Sequence, residues 1–187
     1  MRSYVTVVSG MPRSGTSLMM RMLEAGGIPA LTDGRRPPDQ HNPHGYFEDE
    51  RVRRLAEDSS WMAEARGKAV KIIYRLLRYL PAEFEYRVLF MQRNLEEVFD
   101  SQQDMLISRE SAAAGQDRDR MIRALAADLE AARRANLRML DVPYREVIRA
   151  PGLWAERVSQ FLDDGLDVAA MAAVVDPGLY RHRKSTD

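Results

Sequence analysis

One stretch constrains this chain more than any other. Val5-Thr6-Val7-Val8-Ser9 runs into Gly10-Met11-Pro12-Arg13-Ser14-Gly15, which runs into Thr16-Ser17-Leu18-Met19-Met20-Arg21-Met22-Leu23. The β-branched run favours a buried strand over residues 4 to 9. Leu18, Met19, Met22 and Leu23 recur at helical spacing, so a helix is predicted from about Ser14. Gly26-Gly27 and then Pro29 end it. A strand that enters a helix through a glycine-bracketed turn aims successive backbone N–H groups and a helix N-terminus at one point. That arrangement holds a phosphate.

The spacing Gly-x-x-x-x-Gly is that of nucleoside-triphosphate loops, but the next position departs from them. The Walker pattern needs Lys there, to reach the β- and γ-phosphates, and this chain has Thr16. The cation inside the loop is Arg13, on the crown of the turn. Pro12 stiffens the loop, Gly10 and Gly15 permit positive φ, and Thr16 and Ser17 offer hydroxyls. Pro12, Arg13, Ser14, Gly15, Thr16 and Ser17 are therefore the candidate phosphate-binding residues. Such a loop can grip a phosphate without the group that manages a triphosphate.

The rest of the chain predicts an α/β fold. A second helix is expected from near Tyr46, with Val52, Leu55, Ser59 and Met62 on one stripe. Apolar runs at residues 69 to 74 and 86 to 91 read as strands. Asn94 and Glu97 form a capping-box-like pair. A long helix is predicted up to about Leu140, with Met139 on its inner face, and a strand over Asp141 to Ile148, broken by Pro143. Helices follow at Trp154 to Leu162 and at 166 to 174. Strands alternating with helices point to three α/β/α layers around a mainly parallel sheet. A length of 187 residues suits a single domain spanning 1–187. Residues 31 to 45, rich in Pro, Gly, Asp and Asn, read as a long functional loop.

Charge and composition narrow the function. Lys plus Arg and Asp plus Glu each total 28, so no overall field favours nucleic acid or an anionic membrane. The absence of cysteine excludes thiol catalysis and Cys-ligated metal, and three histidines make a poor metal centre. No metal is expected. No apolar run is long enough to span a bilayer, and no basic segment precedes an apolar one, so a cytoplasmic location is expected.

Four further places could carry chemistry. Arg93 ends the strand at 86 to 91, and Ser101 lies two turns into the next helix. They are either a surface Arg paired with an acid and a solvated Ser, or a grip on a second phosphate at the carboxyl end of the sheet. Lys71 is a cation inside Ala69-Val70-Lys71-Ile72-Ile73, costly there unless an anion is near. Glu48 either complements a helix N-terminus or serves as a general base in a cleft, with His41 and His44 as rival bases. The basic tail, Tyr180-Arg181-His182-Arg183-Lys184, is either frayed or folded over a nucleotide.

Together these residues resemble the sulfotransferase family, which uses 3′-phosphoadenosine 5′-phosphosulfate (PAPS). Gly10-Met11-Pro12-Arg13-Ser14-Gly15-Thr16-Ser17 looks like its P-loop-like 5′-phosphosulfate loop, in the Pro-Arg-Ser-Gly-Thr form of protein-tyrosine sulfotransferases and many bacterial members. Arg93 and Ser101 match the Arg and Ser of its 3′-phosphate motif. Asn42-Pro43-x-Gly45-Tyr46-Phe47-Glu48, Tyr144 and the Gly178-Leu179-Tyr180-Arg181 segment are similar to parts of small bacterial members.

The resemblance implies transfer of a sulfuryl group from PAPS, as co-substrate and without metal, to a hydroxyl or amine. The acceptor would be a small molecule, carbohydrate, lipid or peptide. Arg13 and Lys71 would stabilise charge on the leaving group. Tyr180, Arg181 and Arg183 would join the nucleotide site. Cytosolic aryl and steroid members carry a His base where this chain has Ile73, so Glu48 becomes the candidate base. The chain is short for the family, which leaves open a pocket completed by a second subunit, a homodimer. The competing readings are a nucleotide or small-molecule kinase with an unusual loop, and a non-catalytic nucleotide-binding module.

Overall fold

The computed structural model describes residues 3–37, 45–94, 137–163 and 165–176, together with 97, 98, 123, 126, 127, 130 and 178. Strand β1, Val5–Gly10, is buried along its whole length. Its neighbours are β3, Ala69–Lys71, on one side and β4, Tyr86–Gln92, on the other. Short β2, Ala30–Leu31, extends the sheet beyond β3, and β5, Arg138–Pro143, extends it beyond β4. The order is β2-β3-β1-β4-β5, and every pair is parallel. A parallel sheet needs cover on both faces, because each crossover must return over one of them.

Side chains of successive strand residues point to opposite faces, and the core divides accordingly. Tyr4, Val8, Ala69, Leu89, Met91 and Val142 pack on one face. They meet α1, Thr16–Ala25, α2, Tyr144–Arg149, α3, Pro151–Phe161, and α4, Val168–Ala173. Val5, Val7, Val70, Val88 and Phe90 pack on the other, against Val52, Leu55, Trp61, Met62, Leu77 and Val98. The α/β/α layering expected from the sequence is present. Each fully buried Val, Leu, Ile, Phe or Met side chain here contributes roughly 1.5–3 kcal/mol.

Helix α1 stops as its sequence predicts. Gly27 takes a left-handed φ of 95°. Ile28 N–H then donates to Leu23 O at 2.8 Å and Gly27 N–H to Glu24 O at 3.1 Å, a Schellman pair of bonds.

Several local expectations are corrected. The stripe after Tyr46 is not an α-helix but two 3₁₀ segments, Glu50–Arg54 and Ser60–Ala65. Val52, Leu55 and Met62 are buried as the stripe requires, since short helices of either kind share a three-residue step. Asp49 caps the first segment, its side chain accepting from Arg51 N, so Glu48 precedes the segment and is not in its first turn. The long helix does not reach Leu140. Residues 138 to 143 form β5, and the chain turns helical at Tyr144, so no strand extends to Ile148. Pro143 is tolerated because β5 is the edge strand. Residue 31, read as loop, belongs to β2. Among the described residues no helix is long and apolar enough to cross a membrane.

Candidate functional site

Connections leave β1 and β4 toward opposite edges of the sheet, so the carboxyl ends of these strands form the crevice where open α/β sheets take ligands. The loop after β1 lies there. Gly10 has a φ of 144°, and a Cβ on it would lie 2.6 Å from Ser14 Oγ and 2.7 Å from Met91 O. Only glycine lets β4 pass so close. Ser14 closes the turn, its N–H and its hydroxyl both donating to Met11 O, at 3.1 and 2.7 Å. The hydroxyl proton of this predicted ligand is thus spent inside the loop. Gly15 is left-handed, at 97°, and a Cβ there would lie 2.3 Å from the Tyr144 ring. Arg13, at the crown, is also left-handed, with φ 70°. Pro12 is exposed beside it.

Helix α1 starts at Thr16 with no side-chain cap from Gly15 and no acidic residue in its first turn. Its first turn therefore brings no anion of its own, which suits an external one.

Lys71 comes from the carboxyl end of β3, opposite Val8. Its ammonium donates to Tyr46 O at 2.9 Å and to Ser17 Oγ at 3.3 Å. Burial drives its pKa down to about 8; Glu48 opposes the shift, while Arg36 and Arg13 add to it. Arg13 is thus near enough to disfavour the charge on Lys71. A bound anion would favour the charged form of Lys71.

Glu48 faces the same place. Its carboxylate lies 3.9 Å from Lys71 Nζ, 3.0 Å from an Arg36 nitrogen and 4.0 Å from one of Arg53. Its carbonyl accepts from Asp33 N at 3.1 Å and Thr32 Oγ1 at 2.9 Å, which ties this segment to the chain leaving β2. Left-handed Gly45 and Phe47 turn Tyr46 O toward Lys71. The Arg36 guanidinium sits 3.3 Å from the centroid of the Tyr46 ring.

On the other side of β1, Arg93 follows β4. Its Nη1 donates to Arg13 O at 3.0 Å and its Nε to Glu97 at 3.1 Å. The structure thus gathers Arg13, Ser17, Lys71, Glu48 and Arg93 at the carboxyl end of the sheet.

No family model and no curated protein matches this sequence. Solved structures do match it. A sulfotransferase from Mycobacterium avium superposes with a TM-score of 0.60 at 13% identity, over 98% of this chain and 69% of that one. The sulfotransferase domain of an olefin synthase from Synechococcus gives 0.55 at 14%, over 97% and 84%. A sulfotransferase from Alicyclobacillus acidocaldarius gives 0.53 at 15%, over 88% and 82%.

The fold is that of the sulfotransferases.

Within this fold the loop follows β1, Lys71 closes β3 and Arg93 follows β4, whereas Glu48 lies before the 3₁₀ segment Glu50–Arg54 and not in the first turn of a helix. Ser101, His41, His44, Tyr180, Arg181 and Arg183 lie outside the described residues. Sequence reasoning missed Arg36, which no spacing signals. It also read Glu97 only as a cap partner of Asn94. The i,i+4 offset from Arg93 carried the better signal.

Proposed function

We propose that this protein transfers a sulfuryl group from PAPS to a hydroxyl or amine of an acceptor that is a small molecule, carbohydrate, lipid or peptide. The observation that carries the reading is the position of Lys71. Its ammonium reaches the first turn of α1 from a neighbouring strand, and Glu48 lies 3.9 Å from it. A cation for a leaving group and a carboxylate for an acceptor thus meet at one point, in a loop that lacks the Walker lysine.

The residues fit the donor. The open end of α1, the left-handed Gly15 and the paired cations Arg13 and Lys71 suit a 5′-phosphosulfate. Arg93, with Ser101, would take the 3′-phosphate, and Tyr180, Arg181 and Arg183 would complete the nucleotide site. Bound PAPS would supply an activated sulfuryl group. Lys71, Arg13 and the loop amides neutralise the charge that collects on the leaving phosphate, and because they are fixed they need no reorganisation as it forms. Glu48 takes the proton of the acceptor hydroxyl or amine.

Thermal unfolding tests the reading. Adenosine 3′,5′-bisphosphate should raise the midpoint and ATP with Mg²⁺ should not, since a ligand stabilises in proportion to its occupancy of the folded state. The reverse pattern would favour a kinase. A radiolabelled-sulfate screen over phenols, carbohydrates, lipids and peptides then finds the acceptor. Binding of the bisphosphate with no transfer to any of them, and no effect of Glu48→Gln, would leave a non-catalytic binding module.

A further inference from the structure

Arg93 is gripped from two sides before any ligand arrives. Its Nε donates to Glu97 Oε2 at 3.1 Å, one helical turn on, and the two side chains are only 9% and 5% exposed. Its Nη1 donates to Arg13 O at 3.0 Å, joining residues 80 apart in the chain. Its guanidinium carbon lies 5.1 Å from the centroid of the Tyr144 ring. That same ring occupies the space where a Cβ on Gly15 would go.

These contacts converge on one peptide unit. Arg13 O and the N–H of Ser14 belong to the same rigid plane. Arg93 holds the oxygen, and Met11 O accepts from the N–H at 3.1 Å. The plane is pinned at both ends, with Arg13 in the left-handed region that a side chain adopts only when its surroundings hold it there. Gly15 and the amides that begin α1 follow directly from this plane.

Glu97 needs explanation, because it brings negative charge toward a site argued to hold anions. By field alone it would weaken anion binding. Its geometric effect is the opposite, since a carboxylate on Nε fixes the plane of the fork and leaves Nη1 aimed at the loop.

We propose that Glu97 and Tyr144 are positioning residues that hold Arg93 as a brace on the crown of the phosphate loop, so that Arg93 acts on the reaction through the geometry of the loop amides as well as through its charge. The link to sulfuryl transfer rests on the function proposed above; the brace itself does not.

The test uses inorganic phosphate as probe. Titration of the ¹⁵N-labelled full chain, followed at the Gly10 and Gly15 amide resonances, gives the affinity of the loop. The brace and the field predict opposite signs for Glu97→Gln. The brace predicts phosphate affinity lower by about tenfold, the scale of one hydrogen bond to a charged group, and the field predicts tighter binding. In an Arg93→Lys background, which keeps the charge and loses the fork, Glu97→Gln should add nothing. Should Glu97→Gln not fold, the neutral pair Arg93→Gln/Glu97→Gln leaves no lone buried charge and should show the same weakening.

Unchanged or tighter phosphate binding in whichever of these variants folds overturns the brace. So does a wild-type loop whose glycine amides ignore phosphate. Calorimetry with adenosine 3′,5′-bisphosphate separates the two proposals. If the wild type binds it no better than phosphate while Glu97→Gln weakens phosphate, the donor assignment falls and the brace stands.

Discussion

Lys71 Nζ lies 3.3 Å from Ser17 Oγ, joining the end of β3 to the first turn of α1 across 54 residues of sequence. The contact is made possible by register. Lys71 pairs with Val8, two residues before the glycine that opens the loop. A shift of one residue would turn the ammonium to the opposite face of the sheet.

The first prediction concerns pH. Burial brings Lys71 down to about 8. If its ammonium stabilises the leaving group, kcat/KM should fall as pH rises through about 8, since that profile reports the free enzyme. Bound anion favours the charged form, so the limb in kcat should lie higher. Lys71→Arg should remove the limb, because a guanidinium stays protonated. Lys71→Ala should lower kcat by about two to three orders of magnitude. A pH–rate series on these proteins decides it.

The same group sets the sign of a stability effect. The folded chain releases the Lys71 proton near pH 8 and the unfolded chain near the ordinary value of 10.5. Between these values the unfolded state binds more protons, so this group makes stability rise with pH. Urea titrations at pH 8 and 10 should show the rise in the wild type and a flatter response in Lys71→Met.

Glu48→Gln keeps the shape of the side chain and removes its basicity. Turnover should fall by about 10²–10⁴, the usual share of a positioned general base. Affinity for adenosine 3′,5′-bisphosphate should be retained or tightened in calorimetry at about pH 7, because the amide removes a negative charge that lies 3.9 Å from Lys71 Nζ and 3.0 Å from an Arg36 nitrogen. A variant that turns over normally would return the role of base to another group.

Gly15→Ala brings two separable costs. The left-handed φ of 97° strains any side chain, and the new Cβ would lie 2.3 Å from the Tyr144 ring. Together they should lower unfolding stability by about 1–3 kcal/mol or more. Tyr144→Ala in the same chain removes the clash and leaves the strain, so the double variant should lose less than the sum of the singles. Denaturant titration of the four proteins measures the coupling.

Asp49 should show in acid. The Arg51 side chain, which donates to both its oxygens at 3.0 and 2.8 Å, holds its carboxyl below the ordinary value of 3.8. A lowered carboxyl contributes stability above its unfolded pKa and loses it as pH falls through the folded one. Asp49→Asn should therefore be less stable than the wild type at pH 7, and the gap should narrow below about pH 4. Thermal unfolding across that range checks it.

Particular residues explain what the sequence disclosed and what it concealed. The β1–loop–α1 unit was legible because β-branched residues are stiff and favour a strand, glycines bracket the turn, and the apolar residues of α1 recur at helical spacing. The buried faces of Val52, Leu55 and Met62 were legible, but the kind of helix was not, since one or two turns look alike in either. Leu137 to Val142 has apolar residues at both helical and alternating steps, and only pairing with β4 decides for a strand. Lys71 stood out as a charge in an apolar run. Its contact with Ser17, like the reach of Arg93 to Arg13, depends on strand register that no local spacing encodes.

The strand order also has a consequence for how the protein is made. β1 lies at the centre of the sheet, yet both strands that flank it come later in the chain. At ordinary elongation rates of about 5–20 residues per second, the ribosome spends roughly 4–16 seconds between β1 and the end of β4. For roughly the first 3–12 seconds of that time, until β3 is made, the ribbon destined for the deepest place in the molecule has no strand beside it, and its second neighbour comes only with β4. Slow codons or a shortage of chaperones in this interval should reduce soluble yield more than the same disturbance applied after residue 92.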